Sequence, residues 1–125
     1  MKFSLEGKSA IITGGGSGIG KAISKTFAEQ GAFVNILDFN IDAANETVAE
    51  IENKGGKAAA FKCNVANQKE VVDAINSINQ QQAISILLNN AGIAHVGNIE
   101  AVEESDLDKL YNVNIKGVYN CLKAC

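Results

Sequence analysis

An α/β fold is what this 125-residue sequence predicts: a Rossmann-type doubly wound parallel sheet, truncated after the fourth strand and the helix that follows it. Three observations predict it. Short β-branched runs alternate with stretches of 3.6-residue apolar period, the pattern of parallel strands joined by crossover helices. A glycine cluster, Gly14 to Gly20, stands between the first strand and the first helix. An acid, Asp38, ends the second strand eighteen residues after Gly20.

The elements follow in order. Ser9 to Thr13 is the first strand, and the helix after the glycines sets Ile19, Ala22, Ile23 and Phe27 on one face before Gly31 ends it. Ala32 to Asp38 is the second strand; the next helix turns Ala44, Val48 and Ile51 inward and stops at Gly55 and Gly56. Ala58 to Cys63 is the third strand. Asn67, three residues before Glu70, gives a capping-box-like start to a helix carrying Val71, Val72, Ile75 and Ile78. Ile84 to Asn89 is the fourth strand.

After an irregular loop a last helix begins near Glu103, where Glu103, Glu104, Asp106 and Asp108 suit the positive end of its dipole. Leu107, Leu110, Asn114, Val118, Cys121, Leu122 and Cys125 keep the helical period to the final residue, with no capping glycine and no polar tail. That pattern predicts a chain whose domain continues beyond residue 125.

Composition narrows the function classes. Apolar residues make up 46% and charged residues 20%, which suits a globular chain. A net charge of −3 offers no basic footprint, so nucleic acid is not an expected partner. Near the N-terminus the apolar run spans only Ala10 to Ile12 and Glu6 precedes it, so neither signal peptide nor membrane span is expected, and the expected location is cytoplasmic. Cys63, Cys121 and Cys125 lack zinc-type pairing and read as buried or free thiols; no metal site is expected.

Three readings compete for the glycine cluster. Gly15, Gly20 and Lys21 match most of the phosphate-loop pattern G-x-x-x-x-G-K-S/T, but Ala22 stands where magnesium needs a hydroxyl. The third and fourth strands end in Cys63-Asn64 and Asn89-Asn90, without the second magnesium ligand. A plain connecting turn stays open on the glycines alone. Position favours a dinucleotide turn, because it opens a helix whose N–H groups suit a pyrophosphate. Asp38 could accept hydrogen bonds from both ribose hydroxyls and would repel the 2′-phosphate of NADP. No basic residue stands at Gly15, Ser17 or Phe39 to reverse that, so NAD is favoured over NADP. The plainer role for Asp38 is to turn the chain into the next helix.

With the glycine turn, Asp38 and Asn89-Asn90-Ala91-Gly92 together, the sequence resembles the short-chain dehydrogenase/reductase family over all 125 residues. Gly14-x-x-x-Gly18-x-Gly20 is that family's form of the turn, and Asn-Asn-Ala-Gly is its most specific local signature. The resemblance implies an NAD-dependent oxidoreductase acting on a small-molecule alcohol or carbonyl compound. It implies that Gly14, Ser17, Gly18, Ile19 and Gly20 line the pyrophosphate, Asp38 the ribose, and Asn64 with Val65 the adenine. Asn90, Ala91 and Gly92 would pack along the cofactor. Asn64 departs from the more usual aspartate, and Ser85 replaces an aspartate common before the fourth strand.

Asn114, in Asn114-Ile115-Lys116-Gly117, matches the family's helix asparagine, a catalytic candidate whose backbone carbonyl would hold a water in a proton relay. Its plainer reading is a helix-kinking amide on an inward face. The family's catalytic serine and Y-x-x-x-K pair lie further downstream, and the chain ends eleven residues after Asn114. The expectation is therefore residues 1–125 as the N-terminal NAD-binding part of one domain, with a non-catalytic module or a partner-completed fragment as the alternatives. Tyr119 and Lys123 have the Y-x-x-x-K spacing but read as an ordinary continuation of the last helix. His95 reads as a surface-loop residue. The resemblance also implies a homo-oligomeric parent, in which the Asn114 helix packs against its partner's copy.

Overall fold

The structure, a computed structural model, describes residues 4–93 and 98–125. Its strands are β1 (Ser9–Thr13), β2 (Phe33–Asp38), β3 (Lys57–Lys62) and β4 (Ile86–Leu88). They pair in parallel in the order β3-β2-β1-β4. Helices α1 (Gly18–Glu29), α2 (Ile41–Asn53) and α3 (Gln68–Gln81) alternate with them, and α4 (Glu104–Tyr111) and α5 (Gly117–Ala124) follow. The strand order reverses at β1, which opens a crevice at the C-terminal ends of β1 and β4.

The two-residue strand period divides the core. Ile12, Val34 and Ile36 pack with Ala28, Ala44 and Ile51 of α1 and α2. Ile11 and Leu37 point the other way, against Val71, Ile75 and Ile78 of α3 and Cys121 of α5. β1 is covered on both faces, which is why all of Ser9–Thr13 is buried and Ala10 to Ile12 are apolar without alternation. Burying each of its isoleucines contributes roughly 1.5–3 kcal/mol.

Several expectations shift. The fourth strand spans Ile86–Leu88 rather than Ile84–Asn89, because the Ile84 N–H bonds Asn79 Oδ1 (3.2 Å) and the Asn90 N–H bonds Thr13 Oγ1 (3.0 Å). The fully buried face of α1 is Gly20, Ser24 and Ala28; Ile23 and Phe27 pack against the core as expected, while Ile19 is 72% exposed. Small residues let this helix lie close to the sheet, and the Ser24 hydroxyl is satisfied by donating to Gly20 O at 2.8 Å. Val72 likewise faces outward on α3.

The last helix is not continuous. A π-helical segment, Asn112–Lys116, separates α4 from α5. One extra residue turns the downstream helix by about 100° relative to an unbroken one. Gly117 and Asn120 therefore point inward with Cys121, the one residue here that is buried as expected, whereas Leu122 is 61% exposed; Leu107, upstream of the segment, is 60% exposed. Asn114, expected inward, is exposed as well.

Asparagines start α2 and α3: Asn40 Oδ1 accepts the Ala43 N–H and Asn67 Oδ1 accepts the Glu70 N–H, each at 3.1 Å. The reciprocal half of the second box goes elsewhere, since Glu70 Oε1 accepts from Asn64 N–H at 3.3 Å. Among the described residues no helix is long and apolar enough to cross a membrane, and no cluster could hold a metal ion.

Candidate cofactor site

The crevice beside β1 and β4 holds a cleft of about 780 Å³. Gly14, Ser17, Asp38, Asn64, Val65, Asn90, Ala91 and Gly92 all line it. Four separate connections meet here because parallel strands deliver their C-terminal ends to one edge. Gly18, Ile19 and Gly20 stand just beyond this lining, in the first turn of α1. A smaller hollow of about 260 Å³ lies toward the far ends of α1 and α2, with Lys25 and Glu50 in its lining; Lys25 and Lys21 pair with Glu50 and hold its carboxyl below the usual range.

Two glycines shape the turn. At Gly18 the backbone takes φ +56° and a side chain would meet nothing within 4 Å, so open space faces the turn. At Gly20 a Cβ would collide with Gly14 O and Asn90 Nδ2, so only glycine lets α1 meet the Asn-Asn-Ala-Gly turn. Ser17 is the N-cap of α1 in an extended conformation, and its side chain makes no capping bond. The first N–H groups of α1 thus keep donors and positive dipole for an anion, unlike α2 and α3, whose asparagines use theirs.

Asp38 takes the plainer role weighed for it and adds a second structural one. Its Oδ1 accepts from Asn40 N–H and its Oδ2 from Gly16 N–H, both at 2.9 Å. The first bond turns the chain toward α2; the second ties the strand end to the glycine turn. Each oxygen retains a lone pair. Asn64 Oδ1 accepts from Ala66 N–H at 3.0 Å, which commits its acceptor locally and leaves the Nδ2 donor without a partner among the described residues.

Thr13 is a site residue that sequence reasoning missed. Its Oγ1 accepts the N–H of Asn90 (3.0 Å) and of Ala91 (2.9 Å), while Asn90 Nδ2 donates to Gly14 O at 3.2 Å. Asn120 was missed too. It is fully buried, donates through Nδ2 to Val65 O at 2.8 Å and accepts from Gln68 Nε2 at 3.4 Å. The far wall of the cleft comes from α4, through Ser105, Asp108 and Lys109. Their spacing of three and four puts them on one helix face, a signal obscured because the acids also suit a helix start.

Asn114 does not line the cleft. Its amide clamps Ile93, which does: Oδ1 accepts the Ile93 N–H and Nδ2 donates to Ile93 O, both at 2.8 Å. It sits at the centre of the π-helical segment, where backbone hydrogen bonding departs from the α pattern. Tyr119 accepts from Lys123 Nζ at 3.3 Å on the outer side of α5, and neither lines the cleft. His95 lies outside the described residues. Burial pushes the Cys63 thiol up to about 12, so it forms a neutral wall of the cleft.

The sequence model of the short chain dehydrogenase family matches residues 8–125. An uncharacterized oxidoreductase of Thermotoga maritima is 42% identical over 117 residues, 94% of this chain and 46% of that protein. The 7alpha-hydroxysteroid dehydrogenase of Escherichia coli is 47% identical over 89 residues, 70% of this chain and 35% of that protein. The crystal structure of 3-ketoacyl-(acyl-carrier-protein) reductase from Brucella melitensis complexed with NADH matches with a TM-score of 0.89 at 38% identity. It covers 96% of this chain and 49% of that one. The chain spans about half the length of the curated relatives it matches.

Proposed function

The chain belongs to the short-chain dehydrogenase family, and from that premise we propose that residues 1–125 hold the NAD of an oxidoreductase that interconverts an alcohol and a carbonyl compound. The observation that carries this reading is the uncapped start of α1 at Ser17, opening past Gly18 onto a cleft that also contains Asp38 and Asn90-Ala91-Gly92.

NAD, when bound, supplies the nicotinamide that accepts or returns a hydride. The chain's own part is to bind and orient. The N–H groups of α1 donate to the pyrophosphate, and Asp38 accepts from the ribose diol. Asn64 Nδ2 and Val65 meet the adenine, and the Asn-Asn-Ala-Gly turn fixes the nicotinamide end. Preference for NAD over NADP rests on the Asp38 carboxylate. Asn114, through its grip on Ile93, orients the segment that follows the turn, and its backbone carbonyl is the place for a relay water. The serine and the tyrosine-lysine pair of this chemistry belong to the part of the relatives' length that these residues do not span.

Leu107, Tyr111, Ile115, Tyr119 and Leu122 are each more than half exposed along α4 and α5, which suits a homo-oligomer joined through this face. Three unpaired cysteines suit a reducing, cytoplasmic location. Calorimetric titration with NADH and with ADP-ribose tests the reading: saturable one-to-one binding of both supports it. Absence of heat with either removes its basis, and binding without turnover in the full-length enzyme marks a non-catalytic module.

A further inference from the structure

We propose that Lys62 is a specificity-determining residue of the adenosine end of the cleft, a cation that offsets Asp38 and keeps a 2′-phosphorylated dinucleotide within reach. The proposal rests on the reading of the cleft as a dinucleotide site.

Reading outward from Asp38 along the sequence finds no basic neighbour, but the sheet supplies one from the next strand. The β2–β3 ladder ends by pairing Asp38 with Lys62. Residues two apart on a strand share a face, and the pair one step back, Ile36 and Ala60, lies on the side covered by α1 and α2. Asp38 and Lys62 therefore leave the sheet on the same side. Lys62 is exposed, and its Nζ stands 5.8 Å from the centre of the Phe39 ring. Phe39, 69% exposed, lines the cleft next to Asp38.

Neither charge neutralises the other directly. Asp38 spends one lone pair of each oxygen on backbone N–H groups of Gly16 and Asn40, and Lys62 has no ion-pair partner among the described residues. Lys62 stands outside the cleft lining, and the ring of Phe39, which belongs to that lining, is what its ammonium faces. A ribose diol is uncharged and reads mainly the carboxylate. A 2′-phosphate carries up to two negative charges and reads both, repelled by Asp38 and attracted by Lys62. The pyrophosphate is common to both dinucleotides, so its attraction to Lys62 cancels in their ratio.

Edge strands also carry lysines simply to discourage pairing with other chains, and that role predicts no effect on the ratio. NADH and NADPH affinities, measured by fluorescence titration of the native protein and of Lys62→Gln and Lys62→Arg, separate the two. The proposal predicts that Lys62→Gln weakens NADPH by about three- to tenfold at low salt, leaves NADH within about twofold, and loses the difference at high salt. Lys62→Arg keeps the native ratio. An unchanged NADPH/NADH ratio in Lys62→Gln overturns the proposal while leaving the dinucleotide site intact. Failure of the native protein to bind NADH overturns the dinucleotide reading itself, and this proposal with it.

Discussion

The hydroxyl of Thr13 accepts the backbone N–H of Asn90 at 3.0 Å, joining residues that stand 77 apart in sequence. The same oxygen accepts the Ala91 N–H at 2.9 Å. Two strand ends on either side of the topological switch are thereby locked together, and the floor of the cleft is fixed before any ligand enters. Thr13 is 1% exposed, so its hydroxyl is spent on these bonds rather than on water.

Thr13→Val keeps the shape and removes the acceptor, leaving two partly buried N–H groups unpaired. It should cost about 1–3 kcal/mol in a denaturant melt. Thr13→Ser should melt close to the native protein. Equal stability of the valine variant would mean that the turn stands without this bond.

Asp38→Ala should weaken NADH binding by about 10- to 100-fold, the loss expected for charge-assisted hydrogen bonds to a ribose diol. A fragment lacking adenosine, nicotinamide mononucleotide, should bind both proteins alike. Equal loss for the mononucleotide would assign Asp38 to holding the glycine turn through Gly16 rather than to ribose.

What the sequence made legible was what is local or periodic. The glycine spacing, Asp38 and the Asn-Asn-Ala-Gly turn each announce themselves within a few residues, and the alternating runs carry the sheet. What stayed hidden depends on partners distant in the chain. Nothing near Thr13 says that its hydroxyl meets Asn90, and only the β2–β3 register brings Lys62 beside Asp38. The inward face of α1 was only half read: Ile23 and Phe27 do pack on the core, but close helix-sheet approach selects Gly20, Ser24 and Ala28, which an apolar pattern overlooks. The π-helical turn at Asn112–Lys116 has no periodic signature, so the phase of α5 could not be read.

Asn120→Leu should cost about 1–3 kcal/mol, because it strands Val65 O inside the contact between α5 and the β3–α3 connection. Val65 packs directly on Gly117, where a Cβ would come within 2.7 Å of Val65 Cγ2. The destabilisation should be accompanied by weaker ADP-ribose binding in protein that remains folded. A variant of native stability would show that Asn120 carries no structural bond of consequence.

Burial raises the Cys63 thiol from 9.0 to about 12 and the Cys121 thiol from 9.0 to about 11. Both favour the neutral form when folded, so their contribution to stability is whole below about pH 9 and is lost as pH rises toward 11 and 12. Denaturant midpoints should therefore fall over this alkaline range, and Cys63→Ala with Cys121→Ala should flatten the fall. In native protein at neutral pH, exposed Cys125 should react with a thiol reagent well before the other two. Equal reactivity of all three would contradict the buried core around α3 and α5.

The central claim, that the start of α1 and the Asn-Asn-Ala-Gly turn together hold a dinucleotide, is tested most directly by amide hydrogen exchange with and without saturating NADH. The account predicts slowed exchange concentrated at residues 17–20 and 90–92, with α2 and the far face of α3 unchanged. Saturable NADH binding that leaves those two segments unprotected, or protects only the hollow between the ends of α1 and α2, would contradict it.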